Sequence, residues 1–142
     1  MAASPKARGV LYDLPSVVAG ADALRVPEMS GRCEIVAGDF FESVPAGGDA
    51  YVLSRVIHDW DDATASKILE KCRHAMRSGG RVLLFEGVSA PPNEPDPNKF
   101  LDVWFIGGGG RERTEAEYGA LLHRAGFTLA RVVPTGGSHA IL

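Results

Sequence analysis

A histidine just past an apolar stretch, with acids close by, is where this sequence first offers chemistry. Residues 50–53, Ala50-Tyr-Val-Leu53, read as a buried strand that gives out into Ser54-Arg-Val-Ile57. His58, Asp59 and Trp60 follow, and Asp61 and Asp62 then open an amphipathic helix. An imidazole with an ordinary pKa of ~6.5 suits proton transfer near neutrality. In a strand–loop–helix unit it lies where open α/β sheets place their reacting groups, beyond the carboxyl ends of the strands. Three other predicted strands end in an acid: Asp13, Asp39 and Glu86. If those strands are parallel, the four side chains converge on one rim of the sheet. An acid at a strand end accepts hydrogen bonds from ribose hydroxyls, and a second acid one strand further out suits an exocyclic amine. Together they suit an adenosyl group. There is no phosphate cradle: Gly107-Gly-Gly-Gly110 lacks the Lys-Ser/Thr of a P-loop and comes after a helix rather than a strand.

The elements that must position these groups follow from periodicity and breakers. Residues 9–13 and 32–37 read as strands, separated by a helix from Pro15 to about Val26 in which Pro15 takes the first helical position. A helix over 62–76 has Ile68, Leu69, Cys72, Ala75 and Met76 on one face, and Ser78-Gly79-Gly80 ends it. Residues 81–86 form a buried strand with Glu86 at its end. Asp96-Pro97 caps a helix over 98–106, and Thr114-Glu-Ala-Glu117 is a capping box for another helix, stopped by Gly126. Residues 127–133 and 139–142 read as a closing hairpin, joined by a link too short for a helical crossover and therefore antiparallel. Strands alternating with helices imply an α/β fold with a mostly parallel sheet covered on both faces and an antiparallel C-terminal strand.

Composition narrows the function classes. With 142 residues the chain is one domain at most. A net charge of −3 with no basic stripe argues against a nucleic-acid or anionic-membrane partner. No apolar run approaches a membrane span, and residues 1–8 lack the apolar core of a signal peptide. Cys33 and Cys72 have no metal-like spacing and read as reduced, buried thiols of a cytoplasmic protein.

Five segments, in order and spacing, then carry a resemblance: Leu11-Tyr-Asp-Leu-Pro15, Gly38-Asp-Phe-Phe41, Ser54-Arg-Val-Ile-His-Asp-Trp60, Leu83-Leu-Phe-Glu86 and Gly110-Arg-Glu-Arg-Thr114. Over essentially its whole length the chain resembles the S-adenosylmethionine-dependent O-methyltransferases that include plant phenolic and bacterial polyketide- and anthracycline-tailoring enzymes. The resemblance implies a Rossmann-like class I methyltransferase sheet, S-adenosylmethionine as methyl donor and a small phenolic or polyketide-like acceptor. It implies that Asp13 binds the cofactor ribose, that Asp39 and Phe40 lie beside the adenine, and that Ser54 or Arg55 is a polar position near the cofactor. It implies that His58 is the general base for the acceptor hydroxyl and that Glu86 and Glu112 flank it. Asp102, Trp104 and Phe105 are candidates to line the acceptor pocket, with a helix buried in the core as the alternative.

Two parts of the family pattern have no counterpart in residues 1–142: the N-terminal helical domain used for dimerisation, and the first strand with its glycine-rich cofactor loop. The expectation is therefore a partial catalytic domain, in which the strands at 10–12 and 50–53 lack the neighbour that should lie between them, and weak binding of S-adenosylmethionine by the chain alone. Oligomeric state stays open. Other readings stand beside the leading one. His58, Asp59, Asp61 and Asp62 form either a divalent-metal site or an acidic helix N-terminus, and the expectation is the latter, with no metal. Asp13 and Asp39 can cap turns, and Glu112 can pair with Arg111 or Arg113 at the surface. As a whole, the chain can be a non-catalytic remnant or binding module of the same fold, or a nicotinamide dehydrogenase, against which the missing glycine fingerprint speaks.

Overall fold

The computed structural model describes residues 4, 6–96, 99–100, 105 and 108–142. They form two compact units, Met1–Ala46 and Gly47–Leu142. In the first unit, strand β1 (Gly9–Asp13) pairs in parallel with β2 (Cys33–Ala37), Asp13 opposite Ala37. The helix α1 packs on both strands but covers only Pro15–Val18. Its expected continuation to Val26 is instead broken by Gly20 and resumes as 3-10 turns at Asp22–Leu24 and Pro27–Met29. Glycine costs about 1 kcal/mol in a helix interior, and this segment buries a single side chain in α1, Val18, to offset that cost.

The second unit is built on β3 (Ala50–Ser54) and β4 (Arg81–Ser89), parallel and in register from Ala50 opposite Arg81 to Ser54 opposite Phe85. Strand β4 runs past Glu86, so that residue lies within the strand rather than at its end. The short β5 (Arg113–Thr114) joins β4 in parallel at Val88 and Ser89. Strands β6 (Val133–Pro134) and β7 (His139–Ile141) form the antiparallel hairpin, and β7 pairs antiparallel with β4. Of the strand expected over 127–133, only its last residue is in β6. Among the described residues, β1 pairs with β2 alone and β3 with β4 alone.

Between the strands, α2 (Asp62–Ala75) starts at Asp61, whose carboxylate accepts from the Thr64 amide at 2.7 Å. It buries Ile68, Leu69 and Cys72 against α3 (Glu115–Arg124), which buries Tyr118, Leu121 and Leu122. A fully buried Ile or Leu contributes about 1.5–3 kcal/mol, so this apolar seam with Leu53, Ile57 and Leu84 is the core of the unit. Gly79, at φ 77, makes the left-handed turn that ends the α2 excursion, and the capping box at Thr114 and Glu117 is present in full. No helix among the described residues is long and apolar enough to cross a membrane. The helix expected over 98–106 lies mostly outside the described residues.

Candidate active site

The first unit places two acids at one end of its parallel pair. Asp13 closes β1, and Asp39 lies just past β2, where Gly38 N donates to Asp13 O at 3.0 Å. Each carboxylate spends one oxygen on the backbone: Asp13 Oδ1 accepts from Leu14 N and Asp39 Oδ1 from Phe41 N, both at 2.8 Å. These bonds cap turns and at the same time orient the carboxylates. The second oxygen of each has no partner among the described residues, so it is available to a hydroxyl or amine donor. Phe40 is half-buried beside Asp39 and meets Phe41 edge-on, with ring centroids 4.8 Å apart. These residues fit the adenosine end of a nucleoside cofactor: two preset acceptors and an apolar ring.

The second unit builds a buried cluster around His58. At the end of β3 the chain turns through Arg55, which adopts φ 54, a left-handed conformation costly for a side-chain-bearing residue. Arg55 N stays tied to Phe85 O at 2.9 Å, and Ser54 and Arg55 both expose their side chains. The 3-10 turn Ile57–Asp59 follows. Its entry is fixed by Glu86, whose Oε1 accepts from the amides of Val56 at 3.0 Å and Ile57 at 2.8 Å. Glu86 is wholly buried, and its Oε2 lies 3.7 Å from His58 Nδ1.

Glu112 completes the cluster from the opposite side. Its Oε1 is 3.3 Å from His58 Nδ1, and Asp59 Oδ1 is 3.5 Å from Nε2. His58 and Glu112 are only 6% and 5% exposed, so this is an interior pair rather than the surface pairing of Glu112 with a neighbouring arginine. Arg111 instead pairs with Glu117, and Arg113 with Asp62. Two glycines make room. A Cβ on Gly87 would sit 2.6 Å from Glu112 Oε2, and one on Gly110 would sit 2.4 Å from the His58 carbonyl oxygen. Phe105 lies against the imidazole, with ring centroids 5.0 Å apart. Asp102 and Trp104 lie outside the described residues.

Electrostatics follow from this geometry. The hydrogen bond to Glu112 raises the His58 pKa; burial opposes the rise, and the charges of Glu86 and Asp59 add to it. Burial raises the Glu86 pKa against the amides that favour its carboxylate. Carboxylates at Nδ1 favour the tautomer with its proton on that nitrogen, which leaves Nε2 as the ring's acceptor. Arg113, Gly87 and Gly110 are parts of the site that motif reading missed. Gly110 and Arg113 belong to the Gly-Arg-Glu-Arg-Thr segment, in which only Glu112 has an expected role, with a surface pair to Arg111 or Arg113 as its alternative. The capping box immediately after it, which anchors the segment to a buried helix, is the signal for the buried arrangement.

Comparison with known proteins identifies the family. The O-methyltransferase domain family matches residues 1–128. Phenazine O-methyltransferase PhzM of Lysobacter antibioticus is 42% identical over 97% of this chain and 41% of its own length. Phenazine-1-carboxylate N-methyltransferase of Pseudomonas aeruginosa is 40% identical over 92% of this chain and 40% of its own length. Among solved structures, the O-methyltransferase NcsB1 from neocarzinostatin biosynthesis, in complex with S-adenosylmethionine and 2-hydroxy-5-methyl naphthoic acid, superposes with a TM-score of 0.84. It is 36% identical, with 94% of this chain and 40% of that one covered. The chain thus spans about 41% of the length of the first of these relatives. With the family matched over residues 1–128 of 142, the chain belongs to the O-methyltransferase domain family.

Proposed function

We propose that this chain carries the base and the adenosine-binding acids of an S-adenosylmethionine-dependent O-methyltransferase acting on a hydroxyl of a small aromatic or polyketide-like acceptor. The observation that carries the reading is the buried imidazole of His58 with Glu112 at 3.3 Å and Glu86 at 3.7 Å from Nδ1. S-adenosylmethionine supplies an electrophilic methyl group on a sulfonium. What the protein must then provide is an oriented oxygen nucleophile and a place for its proton. A phenol has a pKa of ~10 and is mostly protonated at neutral pH, so His58 Nε2 accepts the proton as the oxygen is methylated, worth roughly 10²–10⁴-fold. Glu112 and Glu86 fix the ring and stabilise the imidazolium through Nδ1, and Asp59 stabilises it beside Nε2. Asp13 takes the ribose hydroxyls, Asp39 and Phe40 the adenine, and Ser54 or Arg55 a polar part of the cofactor. Phe105, whose ring lies against the imidazole, faces the acceptor.

A second reading is a binding module of the same fold without turnover. The family assignment leaves the nicotinamide reading without support. A methyl-transfer assay with a panel of phenols, run with the wild type and His58→Ala, separates the two remaining readings. Transfer that depends on His58 supports the enzyme; no transfer by the wild type, with S-adenosylhomocysteine binding retained, supports the module.

A further inference from the structure

The segment carrying Glu112 lies against the turn carrying His58, and one side chain spans that seam. Arg113 is 0% exposed. Its Nη1 donates to the carbonyl of Ile57 at 3.1 Å and that of Arg111 at 3.3 Å. Its Nη2 donates to the carbonyl of Trp60 at 2.8 Å and to Asp62 Oδ1 at 2.8 Å, and Nε donates to the same Asp62 oxygen at 2.9 Å. A guanidinium has five N–H donors, and these contacts use every one. Ile57 and Trp60 bracket His58 on one side of the seam; Arg111 precedes Glu112 on the other. The backbone bond from Arg111 N to His58 O at 2.8 Å closes the same seam.

We propose that Arg113 is a positioning residue: its guanidinium holds the 110–112 segment against the 57–60 turn and thereby sets the distance between Glu112 and the imidazole of His58. This rests on the reading of His58 as the base. Lysine cannot take the place, because an ammonium has three donors on a compact head and lacks the planar fork that reaches four separate acceptors. The groups that face His58 are Glu86 from β4, Glu112 from the segment before β5, and Asp59 from its own turn. Arg113 pairs with Asp62, the first residue of α2. The Tyr118 hydroxyl of α3 is buried within the field of Glu86 and Glu112.

The test is the titration of the His58 ring protons by NMR in the wild type and in Arg113→Lys, which keeps the charge and removes the fork. The expected result is that His58, raised above 6.5 in the wild type, moves back toward 6.5 in Arg113→Lys. As a control for stability alone, Asp61→Ala removes the α2 cap and leaves the His58 titration in place. A folded Arg113→Lys protein whose His58 titrates as in the wild type overturns the proposal. If Arg113→Lys does not fold, the wild-type guanidinium decides: separate, slowly exchanging N–H signals for Arg113 are expected, and rapidly averaged ones overturn it. None of these outcomes depends on methyl transfer, so failure here is distinct from failure of the base assignment, which His58→Ala tests by turnover.

Discussion

His58 and Glu112 meet at 3.3 Å, Nδ1 to Oε1, across a sequence separation of 54 residues, with both side chains buried. A hydrogen bond to a carboxylate in an interior of low dielectric favours the charged imidazole more than the same contact at a surface, and it is the largest cause of the raised His58 pKa. Glu112→Gln keeps the shape and an acceptor but removes the charge. The expected outcome is a His58 titration shifted down toward 6.5, read by NMR, with methyl transfer slowed by roughly tenfold or more as the imidazolium loses its partner.

Gly110 is required by close approach rather than by conformation. A methyl group there would stand 2.4 Å from the His58 carbonyl oxygen and 2.9 Å from the Asp59 carbonyl carbon, both backbone atoms that cannot rotate away. Gly110→Ala is expected to destabilise the chain by about 1–3 kcal/mol, measured by urea denaturation. It should also lower the His58 pKa, because the seam holding Glu112 is forced open.

Glu86 has two separable duties. Its Oε1 accepts from the Val56 and Ile57 amides, and its charge acts on His58 through Oε2. Glu86→Gln retains an amide acceptor and loses the charge, so its main effect falls on the His58 titration. Glu86→Ala leaves the buried Ile57 N–H and the half-buried Val56 N–H without their acceptor, at about 1–3 kcal/mol for a fully buried donor. Chemical denaturation should therefore rank Glu86→Ala well below Glu86→Gln in stability, while both lower the His58 pKa.

The pH dependence of stability has a definite sign. His58 and Glu86 both have folded pKa values above their ordinary 6.5 and 4.5. The contribution of each is complete below its unfolded value and is lost as pH rises through the folded one. Asp62 behaves oppositely. Burial, the largest single influence, opposes its ionisation, but Arg113 together with Arg111 and Arg124 outweighs burial and holds its pKa below 3.8, so its contribution is lost on acidification below that value. Thermal denaturation should show stability declining as pH rises above 6.5 through the His58 transition. That decline should shrink in His58→Gln.

Much of this was legible in the sequence because it is local. The apolar run before Ser54, the face of Ile68, Leu69 and Cys72, and the capping box at Thr114 each specify an element within a few residues. What was not legible was long-range. The local pattern makes Glu86 the last residue of a strand, but pairing with β5 and β7 extends β4 through Ser89, and nothing near Glu86 in sequence announces those partners. Glu112 is expected beside His58 only through the family resemblance; taken by itself, its place between Arg111 and Arg113 leaves a surface ion pair equally open. Burial of Glu112 and Arg113 follows only once Gly110 docks on the His58 carbonyl and Asp62, from another element, supplies the countercharge. The helix over 15–26 failed for a different reason: its pattern was acceptable, but Gly20 and few buried contacts left it too weak to continue past Val18.

The most direct test of the account is the pH–rate profile of methyl transfer from S-adenosylmethionine to a phenol, in the wild type and in His58→Gln. The wild-type rate is expected to climb with pH through a single ionisation above 6.5, and the His58→Gln rate to be lower by roughly 10²–10⁴-fold and to lack this ionisation. A wild-type profile without that ionisation, or the same ionisation persisting in His58→Gln, would contradict it.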